Sequence, residues 1–439
     1  TCFPDIIPYC SCYTEVMHIY FSGIGGVGIG PLAEIARDAG YEVSGSDMAE
    51  SRTTAELEQS GINVSLDQSG NNLQRVHDDH PIDWFVYTSS LPINHPELIL
   101  AKQLGIKTAK RDELLNYIIT DKGLRLIAVA GTHGKTTTTA MLVWVFHQLG
   151  IPVSYSVGTT LGFGPAGKFD PASDYFVYEC DEFDRNFLHF SPYISVLTSI
   201  DYDHPDTYPT QLDYSAAFNQ FISQSKQVIL WERDTVIGIN VPHHAWCLRE
   251  DEVEAFTLAG QHNRANATLV AKVCEYLHIE PTGDVTDALN HFPGSARRFE
   301  RLADNLYTDY GHHPAEIAAT LQLARELSDH IVLVYQPHQN TRQHQVRSHY
   351  TSCMELAEKI YWLPTYQTRE DPSLPILTPQ ELSATLKNHD SVEFAQMDDE
   401  LWAHIQAERA AGKLVLCMGA GTIDGWVRDN VRTNSTGQQ

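Results

Sequence analysis

Residues 129–139, Val-Ala-Gly-Thr-His-Gly-Lys-Thr-Thr-Thr-Thr (VAGTHGKTTTT), lie between an apolar run and a helical pattern. Their Gly-Lys-Thr is the end of a phosphate-binding loop, whose usual form is G-x-x-x-x-G-K-[ST]. That form would place its first glycine at position 129, where this chain has valine and carries a glycine at position 131 instead. The shorter G-x-x-G-K-T raises the question of whether the loop still holds a nucleotide.

The residues around this loop predict a strand, a turn and a helix. Residues 124–130 read as a buried strand, and residues 136–149 read as a helix. A helix that begins at such a turn directs free backbone N–H groups at an anion. Lys135 adds a positive charge for the transferred phosphate, and the Thr136 hydroxyl is placed to bind Mg²⁺. The role of His133, helix capping or function, stays open. The predicted ATP-binding loop comprises Gly131, Thr132, His133, Gly134, Lys135, Thr136 and Thr137.

The composition is that of a folded protein with several domains. Its 439 residues suffice for roughly two to four domains, and 42% apolar with 20% charged residues is a globular balance. The net charge of −26 argues against a general nucleic-acid or anionic-membrane surface. No apolar run approaches the roughly 18 residues that span a bilayer, so we expect no membrane insertion.

Residues 1–16 (TCFPDIIPYCSCYTEV) contain no Lys or Arg and so lack the basic start of a secretory signal. We expect a poorly ordered extension there. Three of the eight cysteines lie in it, and the other five are scattered without C-x-x-C spacing. The spacing disfavours a zinc site at Cys10 and Cys12 and indicates thiols in a reducing compartment, so we expect a cytoplasmic protein.

A second glycine turn lies in MHIYFSGIGGVGIGPLAEIARDAGYEVSGSD, residues 17–47. A strand at 18–21 precedes it, a helix at 31–39 follows, and a strand at 42–44 ends before GSD. This order is typical of a dinucleotide-type half-fold. The G-x-G-x-x-G alone allows an NAD site, a nucleotide-sugar diphosphate site or a tight turn. Two phosphate loops in successive domains favour an ATP-driven reaction on a phosphorylated substrate over a dehydrogenase.

Strands alternate with helices along the chain, which predicts parallel sheets. Further strands are expected at 84–88, 175–179, 194–200, 228–231, 305–309, 331–335 and 413–418, and further helices at 53–60, 96–104 and 260–277. We therefore predict an α/β protein of three domains, each with a largely parallel sheet. They are a Rossmann-like domain at 17–121, a P-loop ATPase-like domain at 122–292 and a Rossmann-like domain at 293–432, followed by a tail at 433–439.

Acidic residues and a histidine follow two strands of the second block. The strand at 175–179 runs into ECDEFD, and the strand at 194–200 is followed by DYDH. The carboxyl ends of parallel strands meet at the edge where the phosphate loop lies. The acids could form a solvated turn, or one could share a metal with Thr136, since a divalent cation relieves their mutual repulsion. His204 would emerge near the same edge and suits a second divalent cation.

Ordered motifs run from Met17 to about Val431. They are GIGGVGIGPLAEI with SGSD, AGTHGKTTTTAML, the E-x-D-E-x-D run, DHPDTY, GQHNRANA, RRFE, DYGHHPAE, QPHQNTR and GAGTI. In them the chain resembles the Mur ligase family, and within it the ligases that join L-alanine to UDP-N-acetylmuramate. The shortened phosphate loop is this family's own version of the motif.

The resemblance implies an ATP-dependent amide ligase of peptidoglycan precursor synthesis. The lactyl carboxylate of UDP-N-acetylmuramate would attack the ATP γ-phosphate, and the amine of L-alanine would displace phosphate from the acyl phosphate. The protein's part is positioning and charge neutralisation. ATP and two Mg²⁺ ions are the implied cofactors, and a monomer or homodimer is the implied assembly.

The matching motifs also imply residue roles. The implied catalytic residues are Lys135, Glu179, His204 and Arg298, and the implied metal ligands are Thr136, Glu179 and His204. Asn263 and Asn266 would bind adenine, and Asp309 would bind ribose. The implied UDP-sugar contacts are Gly23, Gly25, Gly26, Val27, Gly28, Ser46 and Asp47, and the implied amino-acid pocket comprises Tyr310, His312, Gln339 and Arg342. Either Arg297 or Arg298 would neutralise the γ-phosphate.

The chain departs from the family pattern at three places. The family's P-H-R-x-x-R is PHQNTR at 337–342, so Gln339 replaces an arginine and cannot form a bidentate ion pair with a carboxylate. Residues 158–167 and two positions of the acidic run, Cys180 and Phe183, also differ. Glycine or serine as acceptor, a murein-peptide ligase and a non-catalytic UDP-sugar-binding relative stay open as alternatives.

Overall fold

Strands and helices alternate in the computed structural model of the protein, which describes residues 16–88, 91–204, 207–368 and 370–436. The extension predicted at 1–16 lies outside these residues except for Val16. Three sheets form, as predicted. The chain divides into two compact units. The first holds the described residues through Arg125 with Pro152–Gly158 and Gly167–Phe176, and the second holds the remainder.

The first unit contains a five-stranded parallel sheet of order β3-β2-β1-β4-β5. The strand order reverses between β1 and β4, beside the glycine turn. Open parallel sheets bind their ligands at such a position. The elements are β1 (His18–Ser22), α1 (Gly30–Asp38), β2 (Glu42–Ser46), α2 (Arg52–Gln59), β3 (Asn63–Ser65), α3 (Asn71–Asp79), β4 (Trp84–Tyr87), α4 (Pro96–Gln103), β5 (Lys107–Lys110) and α5 (Arg111–Asp121).

The second unit begins with the strands around the phosphate loop, in the order β12-β11-β10-β6-β9. The elements of this region are β6 (Arg125–Ala130), α6 (Lys135–Gln148), β7 (Ser154–Ser156), β8 (Gly167–Lys168), β9 (Tyr175–Glu179), β10 (Ile194–Leu197), α7 (Gln211–Ser223), β11 (Gln227–Trp231), β12 (Trp246–Leu248), α8 (Gln261–Tyr276) and α9 (Thr282–Asn290). The antiparallel pair of β7 and β8 belongs to the first unit. β10 ends at Leu197 rather than at the predicted residue 200, because Thr198 turns to donate a hydrogen bond to the His133 carbonyl.

The remaining sheet of the second unit has the order β13-β14-β18-β15-β16-β17. Its elements are β13 (Glu300–Ala303), β14 (Leu306–Asp309), α10 (Pro314–Leu327), β15 (Ile331–Tyr335), α11 (Asn340–Val346), β16 (Lys359–Trp362), α12 (Pro379–Ser383), β17 (Val392–Phe394), α13 (Asp399–Ala410), β18 (Leu414–Met418) and α14 (Ile423–Thr436). The pair of β13 and β14 is antiparallel and the other pairs are parallel, which confirms the prediction of largely parallel sheets. The last helix continues past residue 432, where the third domain was predicted to end. No described helix combines the length and the apolar character needed to cross a membrane.

A buried carboxylate joins α4 to the first sheet. Glu97 is fully buried and accepts hydrogen bonds from Tyr20 OH at 2.9 Å, Ser22 Oγ at 2.6 Å and Ser46 Oγ at 2.8 Å. A buried hydroxyl that loses its acceptor costs about 1–3 kcal/mol. The glutamate therefore fixes the carboxyl ends of β1 and β2, from which the glycine turn departs.

We expect Glu97→Ala to lower the free energy of unfolding of the first unit by about 3 kcal/mol, because three buried hydroxyls lose an acceptor. Glu97→Gln keeps one acceptor oxygen and should lose less. Urea unfolding combined with hydrogen exchange in β1 and β2 measures the effect, with Glu58→Ala on the exposed face of α2 as control. An unchanged urea midpoint for Glu97→Ala would contradict this account.

Candidate active site

The phosphate loop begins only at Gly131, because Val129 lies inside β6 and pairs with Val196 of β10. Gly131 and Gly134 have φ angles of 127° and 85°, which favour glycine. A Cβ on Gly131 would lie 2.6 Å from the Ser199 carbonyl oxygen, and one on Gly134 would lie 3.0 Å from Asn266 Oδ1. Thr198 and Ser199, which follow β10, therefore leave no room for a side chain at Gly131.

Lys135 lies in the loop with its charge already compensated. Its Nζ donates hydrogen bonds to the Gly131 carbonyl and to Glu182 Oε2, each at 2.6 Å. Burial would lower the pKa of Lys135, but the carboxylates of Glu182 and Asp181 raise it above its ordinary value, so the amine is charged. Glu182 is fully buried and was not singled out among the acids of its run.

Thr136, Glu179 and Arg298 come together at the start of α6. Thr136 Oγ1 donates to Glu179 Oε1 at 2.8 Å, and Arg298 Nη2 donates to Thr136 Oγ1 at 3.2 Å. Arg297 points elsewhere: its Nε lies 3.5 Å from Asp424 Oδ2, and its Nη2 donates to the Gly419 carbonyl at 3.3 Å. Of the two arginines left open by the sequence, the structure therefore places Arg298 at the phosphate loop.

His204 lies on the same edge through its neighbour Glu182. Its Nε2 lies 3.6 Å from Glu182 Oε1 and 3.8 Å from Asp203 Oδ2. Its ring meets Phe183 edge to face at 5.2 Å. His204 and Lys135 therefore share one buried carboxylate, while Pro205 of the same motif lies outside the described residues.

A cavity of about 530 Å³ joins these groups to the predicted amino-acid pocket. Arg342 Nη2 lies 3.7 Å from Asp203 Oδ1, and Arg342 also contacts the ring of His312. Burial would raise the pKa of Asp203, but Arg342 and His204 hold it at about 2. Burial lowers the pKa of His312 to about 4, so its ring is neutral. The lining includes Lys135, Thr136, Glu179, His204, Arg298, Tyr310, His312, Gln339 and Arg342.

Gln339 and Tyr310 complete that side of the cavity. Gln339 precedes α11 with a φ of 60°, and its backbone N–H donates to the Tyr366 carbonyl at 2.8 Å. The Tyr310 ring lies under both neighbouring guanidinium groups, 4.6 Å from that of Arg297 and 5.2 Å from that of Arg298. Tyr310 thereby contacts both arginines through cation–π interactions.

A second cavity of about 580 Å³ lies beside the loop and contains the predicted adenine and ribose residues. Asn263 and Asn266 line it from α8, one helical turn apart as predicted. Asp309 accepts hydrogen bonds from the backbone N–H groups of Phe299 at 2.8 Å and Gly311 at 2.6 Å. Burial raises the pKa of Asp309 to about 6. The remaining lining is mostly apolar, which suits a purine ring.

His133 links the loop to α10 between the two cavities. Its Nδ1 lies 3.3 Å from Glu316 Oε1, and its Nε2 lies 3.8 Å from Asp201 Oδ2. Burial would lower its pKa, but Asp201 and Glu316 raise it to about 9. His133 is therefore a cation at neutral pH rather than a helix cap, and Glu316 is a site residue that the sequence did not reveal.

The glycine turn of the first unit is held by the residues that follow β2. The N–H groups of Gly23 and Ile24 donate to the Ser46 carbonyl, and the Gly25 N–H donates to Asp47 Oδ2 at 2.7 Å. Gly23 has a φ of 77°, and Val27 is 84% exposed at the tip.

Two residues beside this turn, Ser46 and Arg111, bear on the implied UDP-sugar contacts. Ser46 was expected among the UDP-sugar contacts, but its side chain is buried on Glu97, so only its backbone reaches the turn. Arg111, which the sequence did not single out, lies so close that a Cβ on Gly28 would be 2.8 Å from its Nη1. A cation therefore accompanies the last glycine.

Three stretches of the chain match known protein domains. Residues 18–122 match the Mur ligase family catalytic domain, residues 129–246 the Mur ligase middle domain, and residues 297–421 the Mur ligase glutamate ligase domain. The chain belongs to the Mur ligase family.

Full-length relatives of the chain are found in several bacteria. A UDP-N-acetylmuramate–L-alanine ligase of Gloeobacter violaceus is 30% identical over 452 residues, which cover 93% of this chain and 94% of that protein. The ligase of the same name from a Nocardioides species is 32% identical over 425 residues, 92% of this chain and 93% of that protein.

Solved structures of the family share the fold. The UDP-N-acetylmuramate-alanine ligase of Thermotoga maritima has a TM-score of 0.74 at 23% identity, covering 96% of this chain and all 100% of that one. A murein peptide ligase of Psychrobacter arcticus has a TM-score of 0.61 at 23% identity, covering 95% and 98% of the two chains.

We expect Arg298→Ala to weaken binding of a non-hydrolysable ATP analogue about tenfold, because a guanidinium–phosphate contact is a charge-assisted hydrogen bond. Arg297→Ala is the matched control, because the Arg297 guanidinium faces Asp424. The affinity of this variant for the analogue should stay within about twofold of the wild-type value. Isothermal titration measures both, and Arg298→Lys should retain part of the affinity. A larger loss in Arg297→Ala would reverse the assignment.

We also expect the stability difference between the wild-type protein and His133→Gln to depend on pH. The pKa of His133 is raised on folding, from about 6.5 to about 9. Its ion pairs therefore stabilise fully below about pH 6.5, and this stabilisation disappears as the pH rises through about 9. Tm measured for both proteins from pH 6 to 10 tests this, and Asp201→Asn should reduce the same difference. A constant difference across the range would rule out the charged histidine.

Proposed function

We propose that this protein is an ATP-dependent ligase that joins L-alanine to the lactyl carboxylate of UDP-N-acetylmuramate in peptidoglycan precursor synthesis. The observation that carries the proposal is the cavity of about 530 Å³ that joins the phosphate loop to Arg342. One space thus contains cations for a transferred phosphate and a cation for an amino-acid carboxylate. The relatives described above are named for this reaction.

The first step is phosphoryl transfer, for which the chain supplies positive charge. The carboxylate oxygen attacks the γ-phosphorus, the bond from that phosphorus to the ADP oxygen breaks, and an acyl phosphate forms. Lys135 and Arg298 lie at the loop as charged donors, and each compensates charge that spreads over the phosphate oxygens in the transition state. The two asparagines of α8 and Asp309 hold adenine and ribose in the neighbouring cavity.

The second step forms the amide. The neutral amine of L-alanine attacks the acyl carbon, phosphate leaves with the C–O electron pair, and the amine proton passes to solvent. Arg342 binds the carboxylate of the amino acid, and Tyr310, His312 and Gln339 border the same space. Gln339 cannot pair with a carboxylate as an arginine would, so orientation rests on a single guanidinium.

Magnesium belongs to this proposal because the residues at the loop fit it. Thr136 Oγ1 and Glu179 Oε1 are oxygen donors 2.8 Å apart, which is the ligand type of a hard cation. These two residues would hold one ion, and His204 would serve a second. When bound, Mg²⁺ neutralises phosphate charge.

We further propose that each of the three domains binds a different substrate. Residues 17–121 bind the UDP-sugar, with the diphosphate on Gly23, Gly25, Gly26, Val27 and Gly28 and with Asp47 bracing the turn. Residues 122–292 bind ATP, and residues 293–432 bind the amino acid. The scattered cysteines without C-x-x-C spacing support a reducing compartment, and we assign the protein to the cytoplasm as a monomer or homodimer.

Phosphate release from ATP, measured with UDP-N-acetylmuramate and each amino acid in turn, tests the proposal. We expect L-alanine to be preferred over glycine and serine. Lys135→Ala should lower turnover about a thousandfold while UDP-N-acetylmuramate binding is unchanged, because the lysine acts only at the second loop. Phosphate release that no amino acid stimulates would contradict the ligase function. A preference for glycine would contradict only the choice of L-alanine, and we would attribute it to Gln339.

A further inference from the structure

Two histidines and a glutamate meet at the amino ends of the first sheet. His18 begins β1, Glu42 begins β2, and His80 follows α3. One ligand atom from each residue lies within 4.8 Å of the other two. The glycine turn departs from the opposite, carboxyl end of β1, so this cluster is separate from the proposed UDP-sugar site.

We propose that His18, Glu42 and His80 form a binding site for a first-row divalent cation, with Zn²⁺ preferred. Two imidazoles and one carboxylate are a ligand set that binds zinc tetrahedrally and leaves the fourth position to water. Imidazole nitrogen selects such a metal over Mg²⁺ or Ca²⁺, which require oxygen ligands.

The surroundings of His18 are those of a ligating histidine. The residue is buried, its Nδ1 lies 3.3 Å from the His80 carbonyl oxygen, and its Nε2 lies 2.8 Å from Ser44 Oγ. Whichever nitrogen binds the cation, an oxygen is in place to accept the proton on the other, and such partners fix the orientation of metal-binding imidazoles. The rings of His18 and His80 also stack, with centroids 5.3 Å apart and planes inclined by 16°.

The other two ligands are accessible and already paired. His80 Nδ1 lies 2.6 Å from Glu42 Oε2, and the two side chains are 41% and 48% exposed. A cation would replace the proton that now joins them, at the wall of a cavity of about 610 Å³ that gives access. Bound there, it would cross-link β1, β2 and the residue after α3.

An anion is a weaker candidate for this cavity. The guanidinium groups of Arg37 and Arg75 line it, but Arg37 is bonded to Asp38 at 2.6 Å and Arg75 to the side chain of Asn72 at 2.8 Å. Glu42 and Asp79 add negative charge to the same wall. The cluster therefore attracts a cation.

The test is Co²⁺ binding to the full-length, chelator-treated protein with excess Mg²⁺ present to occupy oxygen sites. We expect one equivalent of Co²⁺ with the visible absorption of a four-coordinate nitrogen–oxygen site, displaced by Zn²⁺. His80→Gln and Glu42→Gln should each weaken binding at least about tenfold, because each removes a ligand and even the loss of an outer-shell partner costs about 10–100-fold. His330→Gln is the matched control, because that ring pairs with Glu358 at 3.0 Å at the surface and should leave binding unchanged.

Equal Co²⁺ binding in the wild-type protein, His80→Gln and Glu42→Gln would overturn the site. So would a rise in Tm that is produced by sulfate and not by Zn²⁺. Neither readout depends on ligase activity, so a failure here is distinguishable from a failure of the proposed function.

Discussion

The ammonium group of Lys135 carries a charge inside the protein, and much of the active site is arranged to stabilise that charge. A buried cation is tolerated only with close partners. Here they are the Gly131 carbonyl and Glu182, each 2.6 Å away. Gly131 has a φ of 127°, and its carbonyl accepts from the lysine; Glu182 follows β9 and is fully buried. The chain after β9 thus contributes directly to the phosphate loop.

The same loop is also bound to the last third of the chain. His133 pairs with Glu316 of α10, and Arg298 donates to Thr136 at the start of α6. Both contacts cross from the sheet of β6 to the elements around β14, and each joins a charged group to the loop. The cavity of about 580 Å³ is lined by residues of both regions, including His133, Arg298 and Glu316, which make these contacts.

Strong local patterns were enough to predict ten of the eighteen strands and five of the fourteen α-helices of the described residues. β9 has the predicted bounds, and α6 and α8 begin and end within one residue of the expected positions. Tertiary contacts set element boundaries that the local pattern did not show. Apolar periodicity continued through residue 200, and only the bond from Thr198 to the loop ends β10 at Leu197.

The residues of the candidate site could likewise be predicted only in part from the sequence. Four acids in six positions look alike in the sequence. Only the folded structure shows that Glu182 accepts a hydrogen bond from Lys135, whereas Glu179 accepts one from Thr136. Arg297 and Arg298 are neighbours in one motif, yet their side chains diverge to Asp424 and to Thr136. No local pattern encodes which way each arginine turns, so the sequence left open which of the two lies at the loop.

A series of polar contacts runs from Arg342, near Gln339, to the phosphate loop. Arg342 faces Asp203, Asp203 faces His204, and His204 faces Glu182, which holds Lys135. Under the proposed function, the carboxylate of the amino acid would compete for Arg342 with Asp203, whose pKa is held at about 2. With a second arginine at position 339, one guanidinium could bind the carboxylate while the other kept Asp203. With glutamine there, Arg342 would, under the proposed function, serve both Asp203 and the carboxylate of the amino acid.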